Sequence, residues 1–512
     1  MTQFSGAGMK GKHWLFYAAV FFCFLGLYAA TAQRGVSWQD SGEYQYKFLA
    51  RAYSWDVGAG IARLHPSYIL ITRGLAALLP FVPVPYVYTL SSGVGMAVAL
   101  CALCACVLTV TGSHRAALFS VALLGGAHMA WWLSAMAEVY TWSLAFLLLE
   151  VLCLILYFRS RAFIWFVVAL FLNGCHFGVH HFALLGLPVY GVLFLKDAAR
   201  RVWAWGACAA AWCLGALPIL IPGISFAIAS RDFGMAVQSI LFGNYFQSQV
   251  LNTRLAFSAL WLSNMALSAC SFFNPCWLFA LAGMGVTLLA TGKRARGRGN
   301  DMPRAFHVSL LALVGIHFVF WVRYTVPDQA TFVLPTLGLL AVLAGMGLAA
   351  FQRRIRIPFP VVLAISVGFS VLVPFVSCWY AKRVAPPRPR ALPFRDEFAY
   401  WAYPWKHNED SAERFIAVVA DERGRYPDDM VVWVDTTAVA PLMVAQAMGR
   451  LPATWIWLTS WQDLPEGEIM RRLQHSPGGG YVLSPVPGYA PRCVLERASA
   501  FEPEGTFSRI IW

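Results

Sequence analysis

Two carboxylates stand three positions apart in Gln39-Asp40-Ser41-Gly42-Glu43, just past the first long apolar run, and Arg63, His65 and Pro66 follow in the same loop. On a helix this spacing puts both acids on one side. Asp40 could take the proton from an acceptor hydroxyl as that hydroxyl attacks, which is general-base catalysis. With a neighbouring acid it could also hold a cation through oxygen ligands. Arg63 and His65 carry donors suited to phosphate oxygens. Pro66 fixes the local chain direction, and Gly42 reads as a point where the backbone stays adaptable. The residue types serve a second purpose equally well, with Asp40 capping a short helix and Ser41 and Glu43 satisfying its first turn.

Three further groups have the same double reading. Ala137-Glu138-Val139-Tyr140 places a carboxylate and a phenol at a helix start, where an acid is favoured electrostatically in any case. His176, His180 and His181, at i, i+4 and i+5, could form a metal face, bind phosphate or hydroxyl groups, or make structural hydrogen bonds. No H-E-x-x-H pattern or nearby carboxylate supports the metal. Arg323 and Asp328 bracket a turn between two apolar runs, so the Arg could pair with a phosphate or with Asp328 itself. Glu150 lies in the middle of an apolar run, where an acid is costly unless paired, and is read as bonded within the bundle.

The elements that must position these residues are membrane helices. Of 512 residues 59% are hydrophobic and 12% charged, and spanning-length apolar runs recur to about residue 380. The net charge of +14 sits largely in short loops, Lys293-Arg294-Ala295-Arg296-Gly297-Arg298 above all. That pattern orients helices and argues against nucleic acid as a partner. Tracing the charges gives eleven spans in residues 1–384. The first exits at 14–32, the loop 33–85 is external, 162–195 is a hairpin broken at Asn173-Gly174-Cys175-His176, 223–258 is external, and the last span is 357–380. Ala30-Thr31-Ala32 resembles a processing site, but so long a run followed by many others reads as a retained helix. On this trace the candidate residues gather on the external side, around a polar cavity open to the outside. Most cysteines lie within spans, Cys101 and Cys104 included, and read as small apolar side chains.

Residues 385–395 are a stiff Pro-rich linker. Residues 396–512 read as a small extracytoplasmic α/β domain, with helices at 411–425 and 439–448 and strands at 430–434, 454–458 and 481–483. The domain has no phosphate-binding loop and no ligand cluster, and its residues point to no activity. The expected fold class is mainly α, a polytopic helical membrane bundle carrying this α/β domain.

The order of these pieces is more specific than any one of them. Asp40-Ser41-Gly42-Glu43 follows the first helix, then come His65-Pro66-Ser67-Tyr68, Ala137-Glu138-Val139-Tyr140, a Gly/His-rich stretch at 174–181 and Tyr324-Thr325-Val326-Pro327-Asp328. Together they resemble the GT-C glycosyltransferase superfamily, and within it the DUF2723 family of protein O-mannosyltransferases, over roughly residues 14–350. His65-Pro66-Ser67-Tyr68 departs from that family's H-P-P-G-Y. The resemblance implies transfer of a sugar, mannose in that family, from a polyprenyl-phosphate carrier in the bilayer to a hydroxyl of a protein or glycan acceptor. Asp40 would be the base, Glu43 its neighbour, and the outcome inversion. Arg63, His65, Glu138, Tyr140, His176, His180, His181, Arg323 and Asp328 are candidates for binding substrate and phosphate. No cofactor is assigned, and a divalent cation (Mg or Mn) on Asp40, Glu43 and Glu138 stays open. The expected setting is a bacterial inner membrane, with the active face and the C-terminal domain in the periplasm. Two other functions are weighed against this one. A transporter would show inverted repeats, and no internal symmetry is visible. A non-catalytic glycan-assembly factor would bind sugars through Trp401, Trp405, Trp455, Trp457 and Trp461.

Overall fold

The apolar runs form helices because a helix satisfies its own backbone polar groups, the condition for crossing hydrocarbon. The structure is a computed structural model, and it describes residues 10–50, 60–243, 257–291, 302–353, 358–384, 392–462 and 464–512. In chain order, α1 (Lys10–Thr31) is followed by α2 (Gln39–Leu49), α3 (Pro66–Leu78), α4 (Val84–Thr111), α5 (His114–Gly125), α6 (His128–Ser134) and α7 (Tyr140–Ser160). Next come α8 (Ile164–Val179), α9 (Ala183–Asp197), α10 (Val202–Ser230), α11 (Phe233–Phe242), α12 (Ala259–Ala269) and α13 (Leu278–Thr291). The bundle ends with α14 (Arg304–Arg323), α15 (Val333–Gln352) and α16 (Phe359–Val384).

Seven of these are long and apolar enough to cross a membrane, and nine spans result if the bent pairs α5–α6 (70°) and α12–α13 (84°) count as one each. The chain is a multi-pass membrane protein. The eleven spans expected include both arms of the 162–195 hairpin, whose helices of 16 and 15 residues fall short of that length. Residues 223–258, expected as an external segment, instead begin as a continuation of α10 and then form α11, while 244–256 lie outside the described residues. The Lys293–Arg298 marker and residues 385–391 of the linker also lie outside them.

The hairpin turns later than its sequence suggested. α8 runs unbroken through Asn173-Gly174-Cys175-His176, and the chain turns at His180–Phe182. The reason is Glu150 on α7, fully buried, which accepts hydrogen bonds from Asn173 Nδ2 at 3.0 Å and Tyr190 OH at 2.5 Å, and pairs with His176 Nδ1 at 2.9 Å. With partners across the helix interface, the polar side chains have no need to end the helix. Gly174 and Gly215 let α8 and α10 meet closely, since a Cβ at either would lie 2.2 or 2.1 Å from the other helix's backbone. Glu150→Ala should leave three buried donors unsatisfied and lower stability by about 3–5 kcal/mol. Glu150→Gln, which keeps an acceptor, should cost less. Thermal unfolding of both variants in detergent measures the difference, and equal melting points for Ala and wild type would remove Glu150 as the organiser.

Beyond α16 come α17 (Glu397–Ala402), α18 (Ser411–Asp421), β1 (Val431–Trp433), α19 (Val439–Ala447), β2 (Ile456–Leu458), α20 (Glu466–Gln474), β3 (Gly480–Val482), α21 (Arg492–Arg497), β4 (Ala500–Glu504) and β5 (Phe507–Ile511). They build a five-stranded sheet in the order β2-β1-β3-β5-β4, with β1, β2 and β3 parallel and the β4–β5 hairpin antiparallel. The strands and helices expected in this region are present, shorter than expected except for β3, which keeps its three residues one position earlier; α17, α20, α21 and the terminal hairpin were not anticipated.

This domain is packed onto the segment between α1 and α2 and onto α2 itself. Trp38, 1% exposed, joins the domain's core against Phe415, and its Nε1 donates to Ser411 Oγ at 2.7 Å. The Val36 N–H donates to Glu413 Oε1 at 2.9 Å, and the Gln39 N–H to the Thr437 carbonyl at 3.3 Å. Gly42 of α2 lies against α19: a Cβ there would meet the Ser37 carbonyl oxygen at 2.2 Å and Ala440 Cβ at 2.9 Å. Its absent side chain therefore serves close packing within a helix, not the backbone freedom expected of it.

Candidate active site

α2 begins after Trp38, whose side chain makes no capping bond, and Asp40 lies within the first turn. Asp40 is thus not the cap. Gln39 opens the helix with φ of 57°, a left-handed conformation that costs energy outside glycine and here turns the chain sharply from the domain contact into α2. Asp40, Glu43 and Lys47 then rise at intervals of three and four residues on one helix face.

Glu43 is fully committed. Lys47 Nζ lies 2.6 Å from its Oε1 and Arg63 Nη2 3.0 Å from its Oε2. Burial opposes its ionisation, but these two cations outweigh it and hold the carboxyl down to about 2. Asp40 is the looser partner, 3.6 Å from Arg63 Nη2 and with its side chain 47% exposed to the cavity. The surrounding protein walls raise its carboxyl to about 6; Arg63 opposes that rise and Glu43 adds to it. One acid is therefore a fixed anion holding two cations, and the other titrates near the range useful to a base.

Opposite α2, Glu138 accepts from Ser41 Oγ at 2.9 Å and is pushed well up by burial and then by Asp40, which favours its neutral form. Asp328 accepts from the Tyr140 hydroxyl at 2.7 Å and is raised by burial against that bond. His65 precedes Pro66 with φ of 46°, another left-handed residue, and is held by Nδ1 donating to the Val179 carbonyl at 2.6 Å and by stacking on His180 at 5.7 Å. Burial lowers this imidazole to about 3, so it stays neutral, with Nε2 as an acceptor. That corrects the donor role toward phosphate expected of His65. The donors available on this wall are Arg63 and Lys47. Lys47 was missed in the sequence, although its i+4 spacing from Glu43 was a usable signal.

These groups line one cavity of about 1740 Å³. Asp40, Glu43, Arg63, His65, Glu138, Tyr140, His180, His181 and Asp328 all border it. His176 and Arg323 do not. His176 is 1% exposed and bonded between Glu150 and Ser143, and Arg323 ends α14. The histidines therefore form no common metal face, because His181 turns to the Ile240 carbonyl at 2.5 Å while His176 faces Glu150. Among the described residues no three His, Cys, Asp or Glu side chains converge as metal ligands. The residues do not fit the divalent-cation site left open for Asp40, Glu43 and Glu138, since the first two face side-chain cations and the third a hydroxyl.

The cavity has two unlike stretches of lining. One is apolar, bordered by Leu260, Phe273, Leu372 and Val376, which are 42–59% exposed on the outer surface of the bundle. The other is formed with the C-terminal domain by Thr436, Thr437, Tyr400 and Trp401. Of the tryptophans read as sugar platforms, Trp401 stacks on Trp132 at 5.2 Å beside the cavity, whereas Trp455 and Trp457 are buried in the domain core.

No protein family matches the chain, and no curated protein is similar to it in sequence. Solved structures are similar in fold. The crystal structure of ArnT from Cupriavidus metallidurans bound to undecaprenyl phosphate matches with a TM-score of 0.55 at 13% identity, over 98% of each chain. The apo state of the same ArnT matches with a TM-score of 0.53 at 14% identity, over 97% of each. At this identity the likeness is one of fold: the chain has an ArnT-like fold along nearly its whole length.

Proposed function

We propose that this protein is a membrane glycosyltransferase that moves a sugar from a polyprenyl-phosphate carrier to an acceptor hydroxyl at the extracytoplasmic face. The observation that carries the reading is the cavity itself. An apolar stretch open on the lipid-facing side of the bundle adjoins a polar centre where Arg63 and Lys47 flank a carboxylate left accessible. The ArnT structure of the same fold holds undecaprenyl phosphate, which supports a carrier of that class.

In this mechanism the carrier's chain lies along the apolar stretch and its phosphate beside Arg63 and Lys47. Asp40 accepts the acceptor's proton as the acceptor oxygen attacks the anomeric carbon. The bond from that carbon to phosphate breaks, its electron pair leaves on the phosphate oxygen, and the two cations stabilise the charge developing there. One displacement inverts the anomeric centre. Glu43 keeps the cations in place, and Tyr140–Asp328 and Ser41–Glu138 fix the opposite wall. Membership of the DUF2723 branch, with mannose as the sugar and a protein or glycan hydroxyl as acceptor, rests on the five short motifs, and the periplasmic orientation of the inner-membrane protein rests on the trace of its basic loops.

The test is release of polyprenyl phosphate by the full-length protein in nanodiscs, supplied with a panel of undecaprenyl-phosphate-linked sugars. Its pH dependence follows from Asp40. The base acts ionised and its carboxyl is raised to about 6, so the rate should be level above that pH and fall about tenfold per unit below it. A rate independent of pH between roughly 4.5 and 7 would remove Asp40 as the base. Absence of release with every donor, together with movement of the lipid-linked substrate across vesicles, would replace transfer with transport.

A further inference from the structure

The C-terminal domain reaches the cavity at one defined point of its sheet. β1 lies between β2 and β3, all three parallel. The chain leaves β1 through α19 to β2 on one side and returns through α20 to β3 on the other. Where crossovers part in this way, a crevice forms beyond the carboxyl ends of the strands, and open parallel sheets use it for ligands. The residues there are Asp435-Thr436-Thr437, and both threonines line the membrane cavity. Because the Thr437 carbonyl accepts the Gln39 N–H at 3.3 Å, this turn abuts the chain one residue from Asp40.

The two threonines differ. Thr437 is tied to Asp435 through its N–H at 3.1 Å and through its hydroxyl. Thr436 is half-buried against the cavity, and its hydroxyl has no hydrogen-bond partner among the described residues. A hydroxyl held at a cavity wall without a partner is placed to bind something that enters. The donor's needs are met elsewhere, by the apolar stretch for a lipid chain and by Arg63 and Lys47 for a phosphate. The wall built by the C-terminal domain remains for the acceptor, and the same cavity is bordered by Trp401, which stacks one face on Trp132, whereas the Tyr400 ring is covered by Arg395 and Lys406. Hydroxyls with ring faces suit a saccharide, which presents both hydroxyl groups and C–H-rich faces.

We infer that the Asp435–Thr437 turn is the acceptor-side wall of the transfer site, and that the Thr436 hydroxyl binds a saccharide acceptor and helps decide which acceptors are used. The inference rests on the transferase reading above. It gives the C-terminal domain a function that its own residues did not reveal, a specificity element for a reaction whose base lies in the membrane domain.

The experiment uses the full-length protein in nanodiscs, whichever undecaprenyl-phosphate-linked sugar supports release as donor, and methyl β-glucoside as the acceptor probe. Thr436→Val, which keeps shape and loses the hydroxyl, should raise KM for the glucoside about five- to tenfold while KM for the donor stays within twofold. Thr436→Ser should restore the glucoside KM, which a merely structural threonine would not require. An unchanged glucoside KM in Thr436→Val, a change confined to the donor KM, or transfer only to a Ser/Thr-containing peptide would each overturn the acceptor role and leave the transferase reading standing. Absence of polyprenyl phosphate release from wild type with every donor, water serving as acceptor, would remove both together.

Discussion

Asp40→Asn should lower sugar transfer by about 10²–10⁴-fold while leaving KM for the donor nearly unchanged. The substitution keeps the size of the side chain and its place in the first turn of α2, and it removes the charge facing Arg63 and with it the capacity to take up a proton. Asp40 is the acid on which the effect should concentrate, because both Glu43 oxygens are already occupied, by Lys47 at 2.6 Å and Arg63 at 3.0 Å. Glu43→Gln should behave differently. It loosens the two cations proposed to meet the donor phosphate, so donor KM should rise along with a smaller loss of rate. Initial rates at varied donor concentration separate the two patterns. An Asp40→Asn enzyme within threefold of wild type would transfer the base to another residue, and Glu138 would be next to examine.

Gly42→Ala is expected to cost about 10²-fold in rate, although it adds a single methyl group and alters no charge. That methyl would lie 2.2 Å from the Ser37 carbonyl oxygen and 2.9 Å from Ala440 Cβ, so α2 must shift away from both the preceding turn and α19. Asp40 is two residues away on the same helix and must move with it, and displacements of about 1 Å carry rate losses of this size. The overpacking itself should cost about 1–3 kcal/mol, visible as a lower melting temperature of a protein that still folds. Ala440→Gly in the same chain relieves one of the two clashes and should recover part of the stability. Full activity in Gly42→Ala would mean that the position of α2 does not control the chemistry.

Much of the membrane domain was legible because lipid enforces a simple rule: long apolar runs between basic loops must be helices. The candidate residues were legible as well, since in so apolar a chain each charge stands out, and nine of the eleven named residues border one cavity. The errors share one cause, a partner distant in the sequence. Asn173 and His176 looked like a helix break because nothing local explained them, and their explanation, Glu150, lies on another helix. Gly42 looked like a hinge because Ala440 is 398 positions away. His65 looked like a phosphate donor because its bond to the Val179 carbonyl cannot be read from its neighbours. The C-terminal domain was silent for the same reason. Asp435-Thr436-Thr437 is an ordinary turn sequence until the fold sets it beside Asp40.

The bond between Trp38 and Ser411 joins residues 373 positions apart, and it carries a timetable. A ribosome adding roughly 5–20 residues per second needs about 20–75 s to pass from one to the other. Through that interval the loop bearing Asp40 and Glu43 is without the wall it is to rest on. Asp40 can settle only after the sheet of the C-terminal domain has been made and folded. A half-made chain therefore holds these two carboxylates out of register, and their arrangement is completed with the last part of the structure to be made.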